Sequence, residues 1–288
     1  MRVIVNADDF GMSRTVNQAI SEGYKNGILT STCIMANMPA FEDAMRRLQD
    51  MVGIGFGVHL NIVEYKTILE NKENKSKLYD KNGTFKNGFL QMLLKSKDED
   101  FLFEIEHEFR EQIEAVMSYN VQPDHLDSHV HVHAIPAIFN IVCKLAKEYG
   151  IPCVRTQHEH LYFAGDFKTW LKPQTYINLI KVAILNFFTM KNKKTAQEYG
   201  LVTNDNVIGV GYTSMMNEDT IFYGVNALKK KRGILEVICH PDTNEKRPSN
   251  VTEYKAVTSP ALAAKLGDFE RMSFGEFLDY DFFFFKSK

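Results

Sequence analysis

Short runs of β-branched and apolar residues alternate with longer segments of helical period along almost the whole chain, and this alternation restricts the available folds more than any other feature. The spacing predicts strands at 3–6, 31–35, 54–60, 125–128, 153–155, 207–211 and 234–239, with a short last one at 269–273. Helices are predicted at 16–26, 41–51, 101–119, 136–149 and 262–266. Pro136 suits a first helical turn, while Gly150 and Pro152 stop the same helix. Strands separated by helices pair in parallel, because the chain must cross over to return to the same edge. Seven or eight such units predict an α/β fold, a complete or distorted (β/α) barrel whose function sits at the C-terminal ends of the strands. The 288 residues suit one such domain, 1–288.

Two stretches interrupt the rhythm. Residues 62–99 are polar, rich in Lys and Asn, and carry Asn82-Gly83 as a turn signal; residues 157–205 carry Trp170, Tyr176 and a helical run through Phe188. Long loops at a barrel rim usually wall or cover the substrate. Four successive phenylalanines at 282–285 suggest a sealed barrel edge or a subunit contact, so a homodimer is entertained.

Charge and cysteines narrow the function classes. Lys plus Arg number 34 against 36 Asp plus Glu, which leaves no polyanion-binding footprint and makes nucleic acid an unexpected partner. No apolar run reaches the length of a membrane span or a signal peptide, so no membrane partner and a cytoplasmic location are expected. Cys33, Cys143, Cys153 and Cys239 are widely spaced, and are expected as buried free thiols in a reducing compartment. The basic run at 229–232, before Gly233, is expected to be a helix end.

Titratable residues gather at the predicted strand ends. Asn6-Ala7-Asp8-Asp9-Phe10-Gly11 follows the first strand, and adjacent carboxylates there repel unless a cation holds them. His59 ends the third. The run from His125 through Asp127, His129, His131 and His133 recurs with period two, so an extended strand would put all five on one face. So many buried polar groups need partners, which points to a metal or acid–base site. His240, followed by Pro241, ends the late strand at 234–239 and suits a proton donor, because imidazole titrates near neutral pH. Cys239 should face the other way. Arg155 ends another strand, where it would hold a carboxylate ionised or form a structural ion pair.

Together, Asn-Ala-Asp-Asp-Phe-Gly at 6–11, Gly-x-His at 57–59, His-x-Asp-Ser-His at 125–129 and Cys-His-Pro at 239–241 resemble the motif set of the YdjC-like carbohydrate deacetylases, which include chitooligosaccharide deacetylases. Thr30-Ser31-Thr32 fits the same pattern, and the resemblance runs from residue 3 to about 278. It implies a distorted barrel related to that of the polysaccharide deacetylases. It also implies one divalent metal held by Asp9, His59 and His129, with Asp8 as general base and His240 as general acid. His125, Asp127 and Arg155 would support them. The reaction implied is hydrolysis of the N-acetyl group of amino-sugar oligosaccharides. Magnesium is the family's usual metal, whereas two imidazoles and a carboxylate suit zinc, manganese or cobalt.

Phe10, Trp170, Tyr162 and Phe163 are candidates for stacking on sugar rings. Three rivals stand beside the deacetylase. A metal phosphoesterase would use two or three ions. A glycoside hydrolase needs carboxyl groups ~5–10 Å apart across the bond, which adjacent Asp8 and Asp9 poorly supply. A sugar-binding regulator would need neither base nor acid.

Overall fold

The computed structural model describes residues 1–69 and 76–278, so the phenylalanines at 282–285 lie outside the described residues. The strands are β1 (Arg2–Phe10), β2 (Ser31–Ile34), β3 (Gly55–Leu60), β4 (His125–Ser128), β5 (Cys153–Val154), β6 (Asn206–Ile208), β7 (Ile234–Cys239) and β8 (Glu270–Arg271). The helices are α1 (Arg14–Asn26), α2 (Phe41–Leu48), α3 (Phe89–Lys95), α4 (Glu99–Met117), α5 (Pro136–Glu148), α6 (Phe167–Trp170), α7 (Pro173–Tyr199), α8 (Glu218–Leu228), α9 (Pro248–Val257) and α10 (Pro260–Lys265).

Seven strands form one parallel sheet in the order β5-β4-β3-β2-β1-β7-β6, and the two-residue β8 pairs with β1 off that path. The two ends are joined by isolated bridges rather than by a continuous ladder: Cys153 of β5 pairs with Val202, and Glu159, beyond β5, pairs with Val207 of β6. The sheet is therefore a curled, incomplete barrel, the distorted form that the alternation predicts. Each insertion supplies helix: α3 falls within 62–99, and α6 and α7 within 157–205.

Period-two alternation sorts the strand residues into two environments. Val3, Val5 and Ala7 of β1, with Leu235, Val237 and Cys239 of β7, join the core beneath the helices. Ile4 and Ile234 point the other way and meet Cys153, Met272, Phe274 and Phe277 in a small apolar plug. Above the plug the interior turns polar: Asn6, Asp8, His59, Asp127, Arg155 and Glu236 are all buried. A polar layer on an apolar base confines the chemistry to one end of the barrel. Cys239 faces the helices as expected, and all four cysteines are free and buried.

Strand lengths differ from expectation for local reasons. β1 continues through Asp8, Asp9 and Phe10 because a bulge accommodates the carboxylates. β6 stops at Ile208 because Gly209 takes a φ of +129°, outside the range of a strand. The basic run at 229–232 follows the end of α8 at Leu228, as expected of a helix end.

Gly57 on β3 shows how tightly the interior is filled. A Cβ there would lie 2.5 Å from the His125 carbonyl oxygen and 2.6 Å from its ring. Gly57→Ala is expected to lower stability by about 1–3 kcal/mol, the usual penalty of overpacking. Urea unfolding of the two proteins measures it, and equal midpoints would mean that the inner layer yields.

Candidate active site

The two carboxylates reach one site through a backbone irregularity. Neighbours on a strand face opposite sides, yet Asp8 and Asp9 both border the same cavity. The β1–β2 register shifts between Ala7 and Phe10, and Asp9 sits at φ +72°. This bulge turns Asp9 back toward the interior, and aspartate is one of the few side chains that tolerates the left-handed region. A second irregularity follows β4, where Val130 and His131 take φ of +52° and +56°. The chain there leaves extended geometry, so the period-two reading ends at Ser128.

Arg155 organises the layer below. It is fully buried and meets three carboxylates: Asp8 at 2.8 and 2.9 Å, Glu236 at 2.6 and 2.8 Å, and Asp127 at 2.5 Å. Burial alone would raise their pKa values, but the guanidinium holds Asp8 well below the ordinary carboxylate range and brings Asp127 to about 2. At Glu236 burial prevails and the carboxyl is raised. Asp8 also accepts from Asn6 Nδ2 at 2.8 Å.

Asp127 then orients His59. Its carboxylate lies 2.8 Å from His59 Nδ1, which fixes that nitrogen as the donor and leaves Nε2 as the lone-pair side. His59 Nε2 lies 3.5 Å from Asp9 Oδ1, and His129 Nδ1 lies 3.0 Å from the same oxygen. Burial opposes charge on Asp9, but His129 outweighs it and lowers the carboxyl well below normal. Burial likewise opposes protonation of His129, yet Asp9 and Glu64 push its pKa up to about 10. A carboxylate that holds a proton on a neighbouring imidazole would hold a cation by the same attraction.

Among the described residues, two groupings have ligand atoms close enough for one metal ion: Asp9, His59 and His129, and Asp8, Cys33, His59 and Asp127. In the second, Arg155 already neutralises both carboxylates and His59 offers its hydrogen-bonded nitrogen. Among the described residues the first has no lysine or arginine paired with its carboxylate, it turns the Nε2 lone pair of His59 toward Asp9, and it borders the cavity. The first is the better metal site on these physical grounds.

His240 lines the same cavity. Its Nε2 is 3.9 Å from Asp8 Oδ2, its Nδ1 is 3.5 Å from Glu253, and its backbone N–H donates to the same Glu253 carboxylate. Burial disfavours the imidazolium, but Glu253 carries its pKa up to about 9. It is thus charged at neutral pH and open to the cavity, which encloses about 360 Å³. Phe89, Lys181, Ile184, Ser214 and Arg247 complete the walls.

The sequence matches the YdjC-like protein family model over residues 2–268. The chain belongs to this family. A relative in Thermoanaerobacter pseudethanolicus, named carbohydrate deacetylase, is 30% identical over 254 residues, covering 88% of this chain and 86% of the relative. Another of that name, in Clostridium beijerinckii, is 36% identical over 192 residues, covering 62% of this chain and 75% of the relative. A solved structure from Enterococcus faecalis, described as a cellobiose-phosphate cleavage protein, superposes with a TM-score of 0.73. It covers 96% of this chain and 98% of that one at 23% identity, a likeness of fold.

In this YdjC-like chain the structure brings Asp8, Asp9, His59, His129 and His240 to one cavity, with Asp127 and Arg155 directly behind. His125 lies elsewhere. It is stacked on Phe274 of the apolar plug at 4.0 Å and bonded to Asp124, so it supports the barrel base rather than the metal grouping. His133 is also structural, tied to Ser128 and the Arg155 carbonyl, whereas His131 lines the cavity. Neither Phe10 nor Trp170 lines that cavity. Phe10 is buried among the apolar residues of the core, and Trp170 borders a separate hollow with Tyr162, which is itself buried. Phe163 is exposed against Phe167.

Four residues escaped the sequence. Glu236 and Glu253 sit in unremarkable strand and helix positions, and Glu64 in a loop. Cys33, expected only as a buried thiol, lies 3.0 Å from His59 Nδ1. Parity was the available signal: Glu236 and Cys33 share the inward faces of β7 and β2.

Arg155→Met is expected to destabilise the protein by about 3–5 kcal/mol at neutral pH, because buried carboxylates lose their counter-charge. With Arg155 present, Asp8 and Asp127 are depressed in the folded state, so their contribution is full above the unfolded pKa and lost as pH falls through the folded one, about 2 for Asp127. Without it, burial raises them, so the deficit grows as pH rises. Urea unfolding at pH 5 and pH 8 should show the larger deficit at pH 8.

Proposed function

We propose that this chain is a carbohydrate deacetylase that hydrolyses the N-acetyl group of amino-sugar oligosaccharides such as diacetylchitobiose, releasing acetate with the help of one divalent metal ion. The observation that carries the reading is that Asp8, held ionised by Arg155, and His240, held charged by Glu253, lie 3.9 Å apart in the cavity that the Asp9–His59–His129 grouping also lines. Relatives named carbohydrate deacetylase support the reaction class.

The donor set of one carboxylate and two imidazoles, with ligand atoms within 4.8 Å of one another, fits a divalent ion. When bound there, such an ion would polarise the acetamide carbonyl and make a water molecule more acidic. Imidazole-rich ligation favours zinc, manganese or cobalt, while family resemblance favours magnesium.

The chain's own residues divide the proton work. Asp8 stays ionised because Arg155 grips it, so it is ready to accept the proton of the attacking water. A carboxylate gripped in this way is a weak base, which suits an acidified water and no other. Arg155 also fixes the direction of Asp8. His240, held in its charged form by Glu253, donates to the departing sugar amine, which leaves poorly without a proton. Adjacent Asp8 and Asp9 share one wall, an arrangement unlike the opposed carboxyl pair of a glycoside hydrolase.

Chelator-stripped protein resupplied with magnesium, zinc or manganese is expected to release acetate from diacetylchitobiose only with metal. Asp8→Asn should lower the rate by roughly 10²–10⁴-fold, the usual worth of a positioned base. No acetate with any metal, in folded protein that binds one ion, would overturn the reading.

The pH profile is a second check. Loss of the His240 proton should impose an alkaline limb near pH 9, and Glu253→Gln should move that limb downward. A limb unmoved by Glu253→Gln would remove His240 from the role of acid.

A further inference from the structure

Helix α7 carries its apolar face outward. The positions turned toward the barrel include Thr175, Asn178, Thr189 and Asn192 alongside Val182 and Leu185, spaced by threes and fours. The opposite stripe holds Ile177, Ile180, Ile184, Phe187 and Met190, each between 40 and 72% exposed. Surface helices of globular proteins show the reverse arrangement. The approach to the helix continues the pattern, with Leu161, Phe163, Phe167 and Leu171 exposed as well. Ten of the eighteen large apolar side chains exposed among the described residues fall within 161–190. Exposed apolar residues are ordinary when scattered, but a concentration of this kind marks a contact surface.

Charge identifies the kind of partner. Residues 161–200 contain six lysines against only Asp166 and Glu198, a net of +4 in a chain whose total is −2. Lys168, Lys172, Lys181, Lys191 and Lys194 are exposed, and Lys191 and Lys194 follow Phe187 at helical spacing on the apolar stripe itself. We infer that this surface docks on an anionic lipid bilayer, with α7 lying flat in the headgroup layer and its isoleucines and Phe187 entering the acyl boundary. Lysines combined with bulky aliphatic and aromatic side chains are the composition of interfacial helices. A second copy of the chain is the poorer occupant, because a two-fold contact would press a +4 face against itself.

The expectation that no membrane is involved rested on span length alone. No helix of the described residues is long and apolar enough to cross a membrane, and a helix lying on the surface needs no such run. The same helix lines the catalytic cavity with Lys181, Ile184 and Leu185, so docking would hold the cavity mouth at the bilayer. Docking does not depend on the reaction proposed above.

Sedimentation of the full-length protein with vesicles tests it. The protein should pellet with vesicles containing phosphatidylglycerol, remain in solution with phosphatidylcholine alone, and dissociate as salt rises. The Ile180→Glu/Phe187→Glu double variant should stay in solution with an unchanged circular dichroism spectrum and melting curve. Lys172→Ala should weaken binding roughly fivefold. The inference fails if phosphatidylglycerol vesicles pellet nothing, or if the double variant pellets like the parent, which would move the contact elsewhere, for example to the phenylalanine tail. It fails equally if light scattering finds a dimer that the double variant splits, which would give the face to a second copy.

Discussion

One buried guanidinium decides whether the interior of this barrel can exist. Arg155 is fully buried against Asp8, Asp127 and Glu236, and three buried carboxylates so placed could not all ionise without it. Its influence passes outward by hydrogen bonds. Through Asp127 it fixes which nitrogen of His59 carries the proton, and so which nitrogen faces Asp9. Through Asp8 it sets the charge and direction of the carboxylate that lies 3.9 Å from His240 Nε2. Through Glu236, which also accepts from Asn204, it ties β7 to the segment beyond β5 that Asn204 holds at Thr156. The charge on Asp8, the orientation of His59 and the closure of the barrel therefore share one anchor.

The backbone supplies what side-chain chemistry cannot. A regular strand would send Asp8 and Asp9 to opposite sides of the sheet, and the bulge at Asp9 brings both to the cavity. The left-handed pair Val130 and His131 performs the matching task on the far wall, turning the chain sharply after β4 so that His129 meets Asp9. Valine is a poor occupant of that region. Such strain persists only where the surroundings enforce it, and it gathers at functional sites. The two bent segments meet where His129 Nδ1 lies 3.0 Å from Asp9 Oδ1.

Those irregularities also explain what could be read from the sequence and what could not. The sheet was legible because parallel strands advertise themselves as apolar runs between helices, and β4 and β7 fall where the pattern places them. The titratable residues at strand ends were legible for the same reason, since position along a strand becomes height in the barrel. His125 shows the limit of that logic. It shares a face with Asp127, but two residues of rise move it from the polar layer to the apolar plug against Phe274. Phe10 shows another limit, because the bulge that redirects Asp9 also sends the next side chain into the core. The partners Glu64 and Glu253 carry no signal of their own, as nothing local says which distant imidazole a carboxylate will meet.

Helix α7 marks a further boundary of the same kind. An apolar stripe at helical spacing is ordinarily assigned to the core, since water disfavours it and burial is the common remedy. The rule names the stripe but not the direction it faces. Direction is fixed by the other face, where Asn178 bonds to the Gly211 and Thr213 carbonyls and Asn192 to the Ala134 carbonyl. Those buried carbonyls need donors, and an isoleucine could not provide them. The polar positions are thus bound inward by hydrogen bonds that the loops at 209–213 and 134 require. The apolar positions are left to whatever lies beyond the surface, on the helix that also walls the cavity.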